Sequence, residues 1–228
     1  MVYPPAPWNL QGHALLTCHL IDVQLARTVI PPEFEIVALL PGKTLGGVYL
    51  SSYEAGSTLQ YNELIVTAAL VRYGQAIGAW ISHIYVDHPD SVAGGREIWG
   101  LPKELADFTW SPDRVTVHQA EQLLCSLRRF QPWFRLPSSW RPRLKGTVFS
   151  QLGPDLLRFE SGFQSALAVG KGQLTVPDTS PLAALNLGQA VFRIEMADLL
   201  LEAGVPQVMG QSQSANCSVR PAIAQPDL

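Results

Sequence analysis

Proline and glycine occur along the whole chain and leave little room for long helices. The 228 residues include 18 prolines and 18 glycines. Because proline removes a backbone donor and glycine weakens helices, these residues divide the sequence into short elements. We therefore predict a mainly β fold and exclude a helical bundle. One short helix is expected over residues 22–30, where Asp22 can cap its start and Pro31 and Pro32 end it.

Runs of β-branched and aromatic residues predict the strands. Gly46-Gly47 and Gly94-Gly95 are expected at bends, bulges or hairpin turns of a strongly curved sheet. The fold class that follows is mainly β (α+β), a curved antiparallel barrel or sandwich with a few short helices. We expect a single domain over residues 1–210 and a poorly ordered polar tail over 211–228. The predicted strands cover residues 48–53, 61–71, 77–85, 107–110, 115–120, 122–130, 146–150, 156–160 and 191–200.

Composition narrows the classes of function. With 47% hydrophobic residues and a net charge of −3, the chain can bury a sizeable core and has no basic tract of the kind that binds nucleic acid. The first residues lack the charged and apolar regions of a signal peptide, and no apolar run reaches the roughly 18 residues of a membrane span. We therefore expect a cytoplasmic protein. Its positive mean hydropathy suggests subunit contacts in a homo-oligomer, or an apolar pocket.

Motifs for metals and common cofactors are absent from the sequence. The three cysteines are far apart, and the five histidines occur singly, although His13 and His19, or His83 and His88, can converge in space. The sequence contains no G-x-S-x-G elbow, Walker loop or G-x-G-x-x-G element. We predict neither a metal nor a cofactor. The cysteines are Cys18, Cys125 and Cys217.

Lys103 is the first candidate for chemistry. The chain has only four lysines, and this one follows Pro102 in an apolar segment between Leu101 and Leu105. An amine held away from water loses its proton more easily, and a neutral amine can attack a carbonyl carbon. The alternative is a solvated loop lysine. Glu63, which opens a very apolar strand, is likewise either a solvated charge at the strand end or a group directed into a cavity.

Lys103 and Glu63 lie in a series of short motifs whose order resembles that of the acetoacetate decarboxylase superfamily. The resemblance covers Tyr-Asn-Glu at 61–63, an apolar strand, Ile-Tyr-Val-Asp at 84–87 and Gly-Arg-Glu-Ile-Trp-Gly-Leu-Pro-Lys at 95–103. It extends from about Trp8 to about Trp110. In that family the lysine after the proline forms a Schiff base with a β-keto acid, and the glutamate lies in the active site. The resemblance therefore implies a cone-like antiparallel barrel in an oligomer, with Lys103 and Glu63 as catalytic residues.

The resemblance also suggests substrate-binding residues and shows two departures. Arg96, Leu101, Tyr85 and His13 are the candidates for substrate contact, although Arg96 can equally brace the turn and Tyr85 can be a core aromatic. Glu104 stands where the decarboxylases have a second lysine, and it would favour the charged amine if it faced the same way. Residues 12 and 13, Gly and His, occupy the place of an arginine that meets the substrate carboxylate in the decarboxylases. His13 is a partial substitute.

A second resemblance within the same superfamily is closer in the N-terminal half. Residues 10–15, 26–34 and 44–53 are similar to the plant and cyanobacterial neoxanthin-deficient-like proteins, which are associated with neoxanthin formation without a settled enzymatic role. Two functions remain open. The first is a decarboxylase-like lyase that acts on a β-keto acid or a related carbonyl compound. The second is a non-catalytic or accessory protein that binds an apolar metabolite, such as a carotenoid or another isoprenoid.

Overall fold

A computed structural model describes residues 3–128, 132–137, 140–171 and 173–212. Each of the nine predicted strands overlaps a strand of the structure, and the mainly β fold class is confirmed. The predicted tail lies outside the described residues from position 213 onward. The elements are β1 (Trp8–Asp22), α1 (Val23–Arg27), β2 (Glu35–Ile36), β3 (Lys43–Tyr53), β4 (Tyr61–Tyr73), β5 (Ala76–Val86), α2 (Pro89–Trp99), β6 (Lys103–Leu105), β7 (Asp107–Trp110), β8 (Arg114–Gln119), β9 (Gln122–Arg128), β10 (Phe134–Arg135), β11 (Arg143–Leu152), β12 (Asp155–Gly170), β13 (Gln173–Thr175), a 3₁₀ helix (Pro181–Leu185), β14 (Phe192–Ala203) and β15 (Gln207–Gln211).

Seven strands close into a barrel. Their order is β4-β3-β1-β14-β12-β11-β5, and β5 pairs back with β4. All of these pairings are antiparallel except β5 with β11, which is parallel. A second sheet, β13-β9-β8-β7, packs against the outside of this barrel and shares a core with it. No helix in the described ranges is long and apolar enough to cross a membrane.

The barrel interior is a separate core that receives side chains from all seven strands. Successive residues of a strand point to opposite faces, so β4 sends alternate side chains to the two cores. Leu64 and Val66 face the second sheet, whereas Tyr61 and Ile65 belong to the interior cluster. Glu63, between Tyr61 and Ile65 in this alternation, is only 4% exposed and therefore points into the barrel.

The predicted first helix begins where expected and ends early. Asp22 caps it, since its Oδ1 accepts a hydrogen bond from the backbone N–H of Gln24 at 2.8 Å. Helix α1 ends at Arg27, and residues 28–30 form turns instead. Strand β1, which precedes it, was not predicted from periodicity, because its buried positions include polar side chains such as Thr17 and His19.

The prediction of a bend or hairpin turn at Gly94-Gly95 is wrong, because both glycines lie inside helix α2. The helix begins with Pro89 and ends at Trp99, and the capping residue Gly100 adopts the left-handed conformation with φ 60°. The two glycines allow close approach instead. A Cβ on Gly94 would lie 2.7 Å from the Trp8 ring, and one on Gly95 would lie 2.7 Å from Lys103 Cε. Gly46 and Gly47 likewise lie within β3 and do not form a corner.

Candidate active site

Lys103 lies at the start of β6, and its side chain enters the barrel. Strand β6 runs parallel to β5, which places Lys103 beside Ile84, and the lysine is 3% exposed. The left-handed Gly100 ends α2 just before it, so the chain turns directly into β6. Arg96 fixes this turn from the helix, since its Nε donates to the backbone oxygen of Lys103 at 2.7 Å. The lysine is therefore a buried group and not a solvated loop residue.

The ammonium group of Lys103 has two hydrogen-bond partners and two aromatic neighbours. Its Nζ lies 2.8 Å from Glu63 Oε1 and 3.0 Å from Ser91 Oγ. It also lies 5.0 Å from the ring centre of Tyr61 and 5.7 Å from that of Trp8, within the range of cation–π attraction. Three separate elements, β4, α2 and β6, thus meet at a single nitrogen.

The carboxylate of Glu63 is held from its other side by tyrosine. The Tyr53 hydroxyl donates to Glu63 Oε2 at 3.0 Å, and the Tyr49 hydroxyl lies 3.4 Å from that of Tyr53. Burial, and then the charge of Glu63, raises the pKa of Tyr53 and of Tyr61 well above the ordinary value. Both phenols therefore keep their protons at neutral pH, and the Tyr53 hydroxyl serves as a hydrogen-bond donor to Glu63.

Lys103 and Glu63 open into a small cavity of about 100 Å³. Its wall is mostly apolar and includes Trp8, Ile81, Leu101 and Phe159. A cavity of about 150 Å³ with an apolar lining is large enough for benzene, so this one accepts a molecule of only a few carbon atoms. A larger groove of about 370 Å³ shares Leu10 and Leu201 with this cavity; charged side chains such as Lys145 line it, and Lys103 does not.

Only one of the four candidates for substrate contact lines the cavity. Leu101 lines the cavity, whereas Arg96, Tyr85 and His13 do not. Arg96 is exposed and holds the Lys103 backbone. Tyr85 points from β5 into the other core, and His13 lies at the surface, with its Nδ1 3.1 Å from Glu54 Oε1. These three residues therefore lie outside the lining of this cavity, and substrate contact by any of the four candidates stays a prediction.

Glu104 faces away from the amine. Its exposed side chain accepts a hydrogen bond from Gln119 Nε2 at 2.7 Å. Burial, followed by the charges of Glu104 and Cys125, raises the pKa of Tyr85 to about 12, which places Glu104 on the side of the sheet that Tyr85 occupies. The carboxylate that replaces the second lysine of the decarboxylases therefore points to the face opposite Lys103.

Sequence reasoning missed three residues around the Lys103–Glu63 pair. Trp8 and Ser91 approach it from β1 and α2, and neither lies in a recognisable motif. Tyr53 carried a weak signal, because it ends a predicted strand and pairs with Tyr61 at the start of the next one. Within the described ranges, no group of three or more potential ligands could hold a metal ion.

The protein is thus a closed, mainly β barrel whose interior holds a buried lysine–glutamate pair. A family model for acetoacetate decarboxylase (ADC) matches residues 1–130. The chain belongs to the acetoacetate decarboxylase family. Both site residues lie within the matched part.

Relatives with curated descriptions come from two groups. The chain is 36% identical to Protein NEOXANTHIN-DEFICIENT 1 of Arabidopsis thaliana over 107 residues, which is 47% of this chain and 38% of that protein. It is 26% identical to Acetoacetate decarboxylase 1 of Bradyrhizobium diazoefficiens over 113 residues, which is 46% of this chain and 40% of that protein. The chain therefore spans about four tenths of the length of these relatives.

Solved structures share the fold along nearly the whole chain. Acetoacetate decarboxylase from Legionella pneumophila aligns with a TM-score of 0.76 and 19% identity, over 92% of this chain and 90% of that one. The enduracididine biosynthesis enzyme MppR complexed with pyruvate aligns with a TM-score of 0.69 and 17% identity, over 91% of both chains. At these identities the likeness concerns the fold.

Proposed function

We propose that this protein is a decarboxylase-like lyase in which Lys103 forms a Schiff base with a small carbonyl compound. One observation carries the proposal: the Lys103 amine is buried in an apolar cavity with the Glu63 carboxylate 2.8 Å away. A lysine in such a position can become a nucleophile once a neighbouring base takes its proton. Membership of the acetoacetate decarboxylase family supports the same chemistry.

Glu63 and Lys103 divide the proton transfers between them. The proton leaves Nζ along its hydrogen bond to Glu63, and the neutral amine adds to the carbonyl carbon. The resulting carbinolamine takes a proton onto its oxygen and loses water, which leaves a cationic iminium. With a β-keto acid, the C–C bond to the carboxylate then breaks, carbon dioxide leaves and the electron pair forms an enamine. Protonation and hydrolysis of the enamine restore the free lysine.

Two neighbours act as positioning residues in this scheme. Ser91 accepts a hydrogen bond from Nζ at 3.0 Å and keeps the amine directed at the cavity. Tyr53 donates to the far oxygen of Glu63 at 3.0 Å, which leaves the near oxygen for the amine. Substitution of Tyr53 by Phe should slow imine formation without preventing it.

Borohydride trapping tests the proposal directly. The protein is incubated with a panel of ketones and keto acids and reduced with borohydride, and the modified peptide is identified by mass spectrometry. We expect a reduced adduct on Lys103 that is lost in Lys103→Ala. The matched control is Lys145→Ala, because Lys145 is an exposed lysine outside this cavity. Absence of an adduct with every carbonyl compound tested would overturn the proposal.

The second candidate is a non-catalytic protein that binds an apolar metabolite. The similarity to the NEOXANTHIN-DEFICIENT 1 proteins and the apolar wall of the cavity favour it. The volume of about 100 Å³ limits the occupant, because a carotenoid is far larger than benzene. Full biological function of the Lys103→Ala protein would favour the binder, whereas loss of function with the fold intact would favour the enzyme.

A further inference from the structure

The cavity beside Lys103 has no partner for a negatively charged substrate. Among the described residues that line it, Lys103 is the only cation, its charge is paired with Glu63, and Glu63 and Ser91 take two of its three N–H donors. The other lining side chains are apolar or carry neutral hydroxyl groups, as Ser161 does. A buried carboxylate without a paired cation is strongly disfavoured. The charge of Glu63 in the same cavity would add repulsion.

Arg96 and His13 do not supply the missing cation, and Arg143 and Lys145 line the neighbouring groove and not this cavity. Arg96 is exposed, and its Nε is directed at the backbone oxygen of Lys103. His13 lies outside the lining and pairs with Glu54 at the surface. Gly12 cannot be replaced by a longer residue without rearrangement, since an added Cβ would lie 3.0 Å from the carbonyl carbon of Ser52 and closer still to its oxygen.

We infer that the substrate of this site is an uncharged ketone or aldehyde of a few carbon atoms, and not a keto acid. The inference rests on the proposed imine chemistry of Lys103 and specifies its substrate class, and it replaces the loss of carbon dioxide by removal of a proton as the step after the imine. The cavity volume of about 100 Å³ sets the upper size. The apolar wall stabilises the hydrocarbon part of such a molecule, because its apolar surface is removed from water.

An uncharged substrate changes the reaction that follows the imine. It has no carboxylate to lose, so the iminium loses a proton from the carbon next to it. That C–H bond breaks and its electron pair forms a C=C bond. The π electron pair of the C=N bond moves to the nitrogen. The proton goes to a base, for which Glu63, at 2.8 Å from Nζ, is the nearest carboxylate. The enamine then takes up a solvent proton or adds to a second carbonyl compound, and no oxidant or reductant is needed.

Pairs of carbonyl compounds of similar size test the inference. Butanone is compared with pyruvate, and 2-pentanone with acetoacetate, at equal concentrations. The first readout is the rate of borohydride-trapped adduct on Lys103. The second is the exchange of the α-hydrogens of butanone for deuterium in D₂O, followed by proton NMR with Lys103→Ala as the control. We expect each ketone to be trapped at least tenfold faster than its keto acid, and exchange to require Lys103.

A designed change in charge provides an independent arm. Ser161 lines the cavity, so Ser161→Arg adds a cation there, whereas Ser161→Met adds bulk without charge. We expect the arginine variant to gain keto-acid trapping relative to butanone, and the methionine variant not to gain it. If the unmodified protein traps pyruvate or acetoacetate as fast as the ketones, the inference fails and the imine proposal stands. If no carbonyl compound is trapped, the imine proposal itself fails.

Discussion

Replacement of Gly95 by alanine should displace the lysine from its partners. An added Cβ would lie 2.7 Å from Lys103 Cε and closer still to Cδ, whereas ordinary contact begins at 3.4 Å. The methylene chain must therefore move by about 0.7 Å or more. A shift of that size would lengthen the 2.8 Å hydrogen bond to Glu63 beyond the usual limit of about 3.2 Å.

The substitution has opposing effects on stability and a single effect on chemistry. In a helix interior, alanine is more favourable than glycine by about 1 kcal/mol, whereas overpacking of a buried site costs about 1–3 kcal/mol. We therefore expect the free energy of unfolding to fall by roughly 0–2 kcal/mol. Imine formation should slow by roughly 10- to 100-fold, because misplacement by about 1 Å can cost about that much.

Urea unfolding and borohydride trapping measure the two quantities. Ala93→Gly in the same helix is the matched control, since it reports the local difference between alanine and glycine at a position outside the lining of the Lys103 cavity. It should lose about 1 kcal/mol and keep the trapping rate. If Gly95→Ala gained the full 1 kcal/mol or so of helix propensity and trapped carbonyl compounds at the original rate, the packing argument would be refuted.

Three further changes test the buried groups. Lys103→Met leaves the carboxylate of Glu63 uncompensated and should cost about 3–5 kcal/mol in urea unfolding, whereas adding Glu63→Gln should recover most of it; a double variant no more stable than the single one would contradict this. Burial lowers the pKa of His19 below 6.5. As pH falls below about 6.5, the unfolded chain therefore binds a proton that the folded chain does not, and stability should fall by up to about 1.4 kcal/mol per pH unit. In His19→Gln this part of the slope should disappear, and an unchanged slope would exclude His19 as its source. Gly100→Ala combines a positive φ with a Cβ 2.7 Å from the Gln151 carbonyl carbon, so it should destabilise more than Gly153→Ala, which has a similar φ and open space; equal melting temperatures would show that the contact is unimportant.

Local sequence patterns predicted the strands better than the helices. Strand β7 matches its prediction at both ends, and the Asp22 cap begins α1 as expected. Helix α2 was missed because Gly94 and Gly95 are poor helix formers, and their value lies in the contacts that they permit with Trp8 and Lys103. From the sequence alone, a glycine that permits close packing against another residue cannot be distinguished from one that forms a turn.

The sequence by itself determined the mainly β fold, the family resemblance and the choice of Lys103 and Glu63 as residues of interest. Only the tertiary structure decided that the two side chains meet, because Glu63 is on β4, Lys103 is on β6, and β5 lies between these strands. The tertiary structure also decided that Glu104 and Tyr85 lie on the face of the sheet opposite the Lys103 side chain. The physical reason is that strand propensity and alternation depend on neighbouring residues, whereas register and closure of the barrel determine which face becomes the interior.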